Sequence, residues 1–246
     1  MEAVTVCPSL EALGQTAGCF IAQLADKYVT KKGRFSIALS GGSTPRFLYD
    51  ALSHPPLSGA VPWGGVILFW GDERCVPEDH PDSNFGMANT RLLSKVPIPS
   101  ENIFAFPLKM TEPSAAASAY EDMIYDCFDP AEDEIPSFDL IILGLGADGH
   151  TASLFPDTSA LKEKEDWVVA NPVEKLGETR LTFTYPLINQ AKHILFLAAG
   201  KEKSPIIKTL LSPEQIDSPY PASQVVPVTG QRYFFIDDAA AANALP

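Results

Sequence analysis

Hydrophobic positions along the chain switch between two spacings. Leu13, Ala17, Ile21, Leu24 and Tyr28 recur every three or four residues, which gathers them on one face of a helix. Ser9 precedes the run as a candidate N-cap, and Gly33 follows as the residue that ends it. Phe35-Ser36-Ile37-Ala38-Leu39 is a short, mostly apolar run suited to a buried strand. A second helix opens at Thr44-Pro45, where the missing proline N–H is harmless. The same reading predicts strands at Val66–Trp70, Phe138–Leu143, Arg180–Thr184, His193–Ala198 and Tyr233–Ile236, and helices over 84–93, 115–128 and about 203–211.

Alternating strands and helices predict an α/β fold, a mostly parallel Rossmann-like sheet with helices on both faces. Segments 54–65 and 212–227, rich in proline and serine, read as surface loops. Residues 157–178 read as a charged flap, and the alanine-rich end, 239–246, as a fraying tail. No internal repeat or linker interrupts the chain, which reads as a single domain over residues 1–246.

Composition narrows the partners. The chain has 246 residues, 46% hydrophobic and 20% charged, and a formal charge of −13. An excess of acid this large disfavours nucleic acid and anionic membranes as partners. It leaves room for a small anion where a few cations converge. No apolar run approaches the ~20 residues of a membrane helix, and no secretory signal is visible at the N-terminus. Cys7, Cys19, Cys75 and Cys127 form no CxxC pair, so neither a zinc ribbon nor a disulfide framework is expected, and the cytoplasm is the expected compartment.

Ligands of open α/β sheets bind beyond the carboxyl ends of the strands, so the loops there carry the candidate chemistry. The first is Ser40-Gly41-Gly42-Ser43-Thr44-Pro45. Two glycines, two hydroxyls and a helix start suit a phosphate, although an ordinary capped turn has the same pattern. It is neither a Walker loop nor GxGxxG, so no dinucleotide is expected. The second is Gly71-Asp72-Glu73-Arg74, in which an extended backbone points Asp72 and Arg74 to one side. A solvated salt-bridged loop is the competing reading. The third is Gly144-Leu145-Gly146-Ala147-Asp148-Gly149-His150, where a histidine suited to general base work sits two residues from a carboxylate. A metal held by Asp148 and His150 would lack a third ligand, so none is expected. Arg180 and Lys203, each separately readable as a surface charge, can together clamp a phosphate. His54, His80 and His193 read as structural.

These motifs, in this order, resemble the 6-phosphogluconolactonases of the glucosamine-6-phosphate isomerase fold group. The matching stretches are SGGSTP at 40–45, WGDER at 70–74, PDSNFGMA at 81–88, LIILGLGADGHTASLFP at 140–156, ETRLTFT at 178–184 and GKEK at 200–203. The resemblance implies a lactone hydrolase without an organic cofactor, acting on a sugar-phosphate lactone. It implies His150 as acid/base with Asp148 as its partner, and Arg74 with Asp72 beside it in the active site. Gly41, Gly42, Ser43 and Thr44 correspond to the phosphate loop. Arg180 and Lys203 correspond to the phosphate-binding cations, Lys201 being the weaker match. The aminosugar-phosphate deaminases of the group continue their Asp-Gly-His motif into Asn-Glu-Pro. This chain has Ser153-Leu154-Phe155-Pro156 and lacks that glutamate, which favours lactone hydrolysis over deamination. A non-catalytic sugar-phosphate sensor is a further alternative, disfavoured because Asp148 and His150 are both present.

Overall fold

The computed structural model of the chain describes residues 3–109, 112–213, 218–242 and 244–245. Its strands are β1 (Ala3–Cys7), β2 (Phe35–Leu39), β3 (Val66–Trp70), β4 (Asp72–Arg74), β5 (Leu140–Gly144), β6 (Val168–Val173), β7 (Glu178–Phe183), β8 (His193–Ala198) and β9 (Gln231–Asp237). The α-helices are α1 (Leu10–Lys32), α2 (Ser43–Leu52), α3 (Leu57–Ala60), α4 (Asn84–Arg91), α5 (Pro113–Phe128), α6 (Tyr185–Ile188), α7 (Ser204–Leu210) and α8 (Asp238–Ala241). No helix among the described residues is long and apolar enough to cross a membrane.

The main sheet has the order β1-β9-β8-β5-β2-β3, and every pairing in it is parallel. All of Phe35–Leu39 is buried, as expected of a central strand covered on both faces. After β2 the chain moves outward to the edge strand β3, and β5 then returns on the other side of β2. The loops leaving β2 and β5 therefore diverge and open a crevice at their carboxyl ends. A second sheet, β4-β7-β6, is antiparallel and abuts that crevice through β4, which follows β3 after one residue.

Helix α1 has the ends that its sequence suggests. Ser9 accepts the Ala12 amide, and Gly33 closes the helix in the left-handed region with its N–H on the Val29 carbonyl. Helix α2 starts at Ser43, one residue before the expected Thr44.

The structure departs from the sequence-based expectations at five places. Strand β1 was not foreseen, because five residues at a sheet edge carry too little periodicity to register. The segment expected as a charged flap contains β6, whose hydrophobic alternation is broken by Asn171 and Pro172. Segment 54–65 holds α3 and buries Leu57, Val61 and Trp63. In segment 212–227, Ala222 and Val225 are fully buried, while 214–217 lie outside the described residues. The expected fraying tail also packs: Ala240 and Ala244 are buried, with residues 243 and 246 outside the described set.

At the amino end of the sheet, away from the crevice, Asp139 is fully buried. It accepts hydrogen bonds from the Ser36 amide at 2.9 Å and from Lys32 and Lys192 Nζ at 2.8 Å each. Burial alone would raise its pKa, but the lysine bonds outweigh that and hold it below the usual carboxylate value. Its contribution to stability is thus present above about pH 4 and fades as the pH falls through the lowered pKa. Asp139→Ala is expected to reduce the unfolding free energy by about 2–4 kcal/mol at pH 7 in urea titrations. The gap to the wild type should narrow below about pH 4.

Candidate active site

A cavity of about 250 Å³ opens above the switch point between β2 and β5. Gly41, Gly42, Ser43, Thr44, Asp72, Arg74, Gly146, His150 and Lys203 line it, so most of the residues singled out in the sequence converge there. Gly42 precedes α2 at φ 99°, a conformation that favours glycine. No side chain caps this helix end, so its first amides keep their capacity for an anion.

Strand β4 sorts its charges by the two-residue period. Asp72 and Arg74 reach the cavity, while Glu73 points away and is 1% exposed. The Glu73 carboxylate accepts the amides of Arg74 at 2.8 Å and of Asn84 and Phe85 at 2.7 Å, fixing the start of α4. That anchoring role was not read from the sequence. Asp72 is itself buried. Its Oδ2 accepts Ser153 Oγ at 2.7 Å, and its backbone carbonyl accepts Asn84 Nδ2 at 2.8 Å. Arg74 Nη1 donates to the Asp82 carbonyl at 2.5 Å, while its buried Nε has no partner among the described residues.

His150 emerges from the loop after β5. Its Nδ1 lies 2.5 Å from Asp148 Oδ1, and its ring packs 4.1 Å from the Phe155 ring. Gly146 is required for this placement, because a Cβ there would lie 2.0 Å from His150 Nδ1. Lys175, in the turn between β6 and β7, bonds the other oxygen of Asp148 and lies 4.7 Å over Phe155. Burial would raise the Asp148 pKa, but the bonds from Lys175 and His150 overcome it and hold the carboxyl well below its usual range. An ionised carboxylate only accepts, so His150 carries its proton on Nδ1 and leaves Nε2 bare. Burial is also the largest influence on His150 and lowers its pKa. Asp148 and Asp72 pull it up, Lys175 pushes it down, and the net direction is down. His150 is thus the neutral form with a free lone pair near pH 7. Lys175 escaped the sequence reading because it lay in the supposed flap, where nothing in the pattern marks a charge that reaches inward.

Lys203 lines the cavity and Lys201 does not. Arg180 sits opposite Arg74 in the β4–β7 register, but it is absent from the cavity wall. Its Nη2 pairs with Glu178 at 2.7 Å, and its buried Nε has no partner. Among the described residues no group of three or more His, Cys, Asp or Glu side chains has the geometry to hold a metal. His54, His80 and His193 lie outside the cavity, bonded to Asp50, Asp82 and Tyr28 respectively.

These contacts predict an NMR titration of the His150 imidazole. Its midpoint should fall below the ~6.5 of a free histidine. Lys175→Met should raise it by removing a cation, and Asp148→Asn should lower it further by removing the anion. Shifts in the opposite directions would contradict the contact pattern.

The family described as glucosamine-6-phosphate isomerases/6-phosphogluconolactonase matches residues 8–234. A 6-phosphogluconolactonase of Nostoc sp. is 41% identical over 242 residues, 98% of each chain. The Homo sapiens 6-phosphogluconolactonase is 36% identical over 97% of this chain and 92% of its own. Among solved structures, a 6-phosphogluconolactonase from Trypanosoma cruzi superposes with a TM-score of 0.88 at 30% identity, covering 100% of this chain and 98% of that one. A monomeric glucosamine-6-phosphate deaminase superposes with a TM-score of 0.79, but at 21% identity it shares the fold alone. The chain belongs to the glucosamine-6-phosphate isomerase/6-phosphogluconolactonase family and is an enzyme of its 6-phosphogluconolactonase branch.

Proposed function

We propose that the chain hydrolyses 6-phospho-D-glucono-1,5-lactone to 6-phosphogluconate, with His150 as general base and then general acid. The observation that carries this reading is the 2.5 Å contact between His150 Nδ1 and the Asp148 carboxylate. An ionised Asp148 claims the Nδ1 proton at 2.5 Å, so Nε2 is left to take a proton from water. The lactone phosphate binds at the uncapped start of α2, with Gly41, Gly42, Ser43 and Thr44 around it and Lys203 as point charge. Arg180, beside Arg74 in register and paired with Glu178, adds positive charge near the site without lining the cavity. Binding energy from this non-reacting end places C1 at His150.

Water then attacks the lactone carbonyl as His150 takes its proton. The acyl oxygen gains negative charge in the tetrahedral intermediate and needs preorganised donors. Arg74 is suited to that task, since it lines the cavity and the Nη1 bond to the Asp82 carbonyl positions its guanidinium. Collapse breaks the C1 to ring-oxygen bond, and the imidazolium returns its proton to that oxygen. Asp72, held by Ser153 and Asn84, keeps a carboxylate in the cavity wall that favours the transient imidazolium. No covalent intermediate is required.

The test is the loss of lactone generated in situ, followed against spontaneous hydrolysis. Wild type is expected to accelerate it. Arg74→Ala should lower kcat by about 10²–10³. Lys203→Met should mainly raise KM, by about 10- to 100-fold. Ammonia release from glucosamine 6-phosphate without lactone turnover would replace this reading with a deaminase.

A further inference from the structure

The cavity holds two carboxylates as well as its cations. Asp72 is accounted for by Ser153 and Asn84. Glu202 is not, and a carboxylate at the phosphate end opposes anion binding. Its polar partner among the described residues is Lys203, at 3.7 Å. The two side chains differ in setting: Lys203 is 16% exposed and Glu202 58%. Glu202 folds back over Gly200, where a Cβ would stand 2.6 Å from Oε2. Gly200 also has φ 100°, so both its backbone and its missing side chain make this fold-back possible.

We propose that Glu202 is the resident counter-anion of Lys203, held at the phosphate end of the cavity until a phosphorylated ligand displaces it. The inference rests on the phosphate site described under the proposed function. A separation of 3.7 Å is an ion pair without a hydrogen bond, so it is surrendered readily to a phosphate oxygen. The exposed carboxylate can swing to solvent, whereas the largely enclosed lysine stays. The pair therefore limits the affinity for phosphate without removing the cation. Discrimination follows from charge. Lactone hydrolysis adds water across the acyl C–O bond and yields a carboxylic acid that ionises, so the product carries one more negative charge than the substrate. Glu202, displaced but still tethered beside the cavity and competing for Lys203, disfavours the more highly charged product more and thus promotes its release.

The test is calorimetric titration of the full chain with inorganic phosphate, 6-phosphogluconate and unphosphorylated gluconate. Glu202→Gln should tighten phosphate and 6-phosphogluconate about 2- to 5-fold, the latter at least as much, and leave gluconate unchanged. In the Lys203→Met background the same substitution should lose its effect on phosphate. Unchanged or weakened phosphate binding by Glu202→Gln would overturn the proposal, and so would an equal gain without Lys203. The expected pattern in a chain that fails to hydrolyse lactone would support the counter-anion and overturn the lactonase reading alone.

Discussion

The hydrogen bond from Ser153 Oγ to the buried Asp72 carboxylate, 2.7 Å long, ties the loop after β5 to strand β4. Ser153 lies three residues beyond His150, and Asp72 two before Arg74. Around this bond the knot tightens: the Ser153 amide donates to Thr182 Oγ1 at 3.1 Å, and Asn171 Nδ2 donates to the Ser153 carbonyl at 2.9 Å. The small antiparallel sheet is thereby locked to the loop after β5. Base and arginine come from different strands, yet their separation is set by buried, hydrogen-bonded side chains. Such preorganisation spares the reaction the cost of assembling its charges.

Electrostatics in the cavity runs against the net charge of −13. An acidic chain binds an anion here because the donors are local: an uncapped helix start, Arg74 and Lys203. The same locality governs His150. Desolvation lowers its pKa, and Lys175, bonded to Asp148, offsets part of the pull that the carboxylate exerts on the ring. The base is available at neutral pH because burial and one lysine prevail over two nearby carboxylates.

Much of this was legible in the sequence where a local rule suffices. Leu140–Leu143 is a continuous apolar run and Phe35–Leu39 one broken only by Ser36, and central parallel strands favour that pattern. The glycine loops were legible because tight turns and close approach leave few alternatives to glycine. Asp72 and Arg74 shared a side by strand period alone. Strand β6 was not legible, because its pairing with β7, which places Val168 against Phe183, supplies the order that its own residues do not encode. Lys175 depends on that pairing, and its inward reach was invisible for the same reason. Arg180 shows another limit: its sequence context resembles a phosphate ligand's, but whether the side chain lines the cavity depends on its register beside Arg74 and its bond to Glu178, which local sequence does not encode.

The most direct measurement is kcat/KM for 6-phosphogluconolactone against pH, for the wild type and for His150→Ala. A neutral imidazole base predicts activity that falls on the acid side with a midpoint below ~6.5, and a loss of about 10²–10⁴ in the variant. A wild-type profile flat to pH 4, or a variant as fast as the wild type, would contradict it.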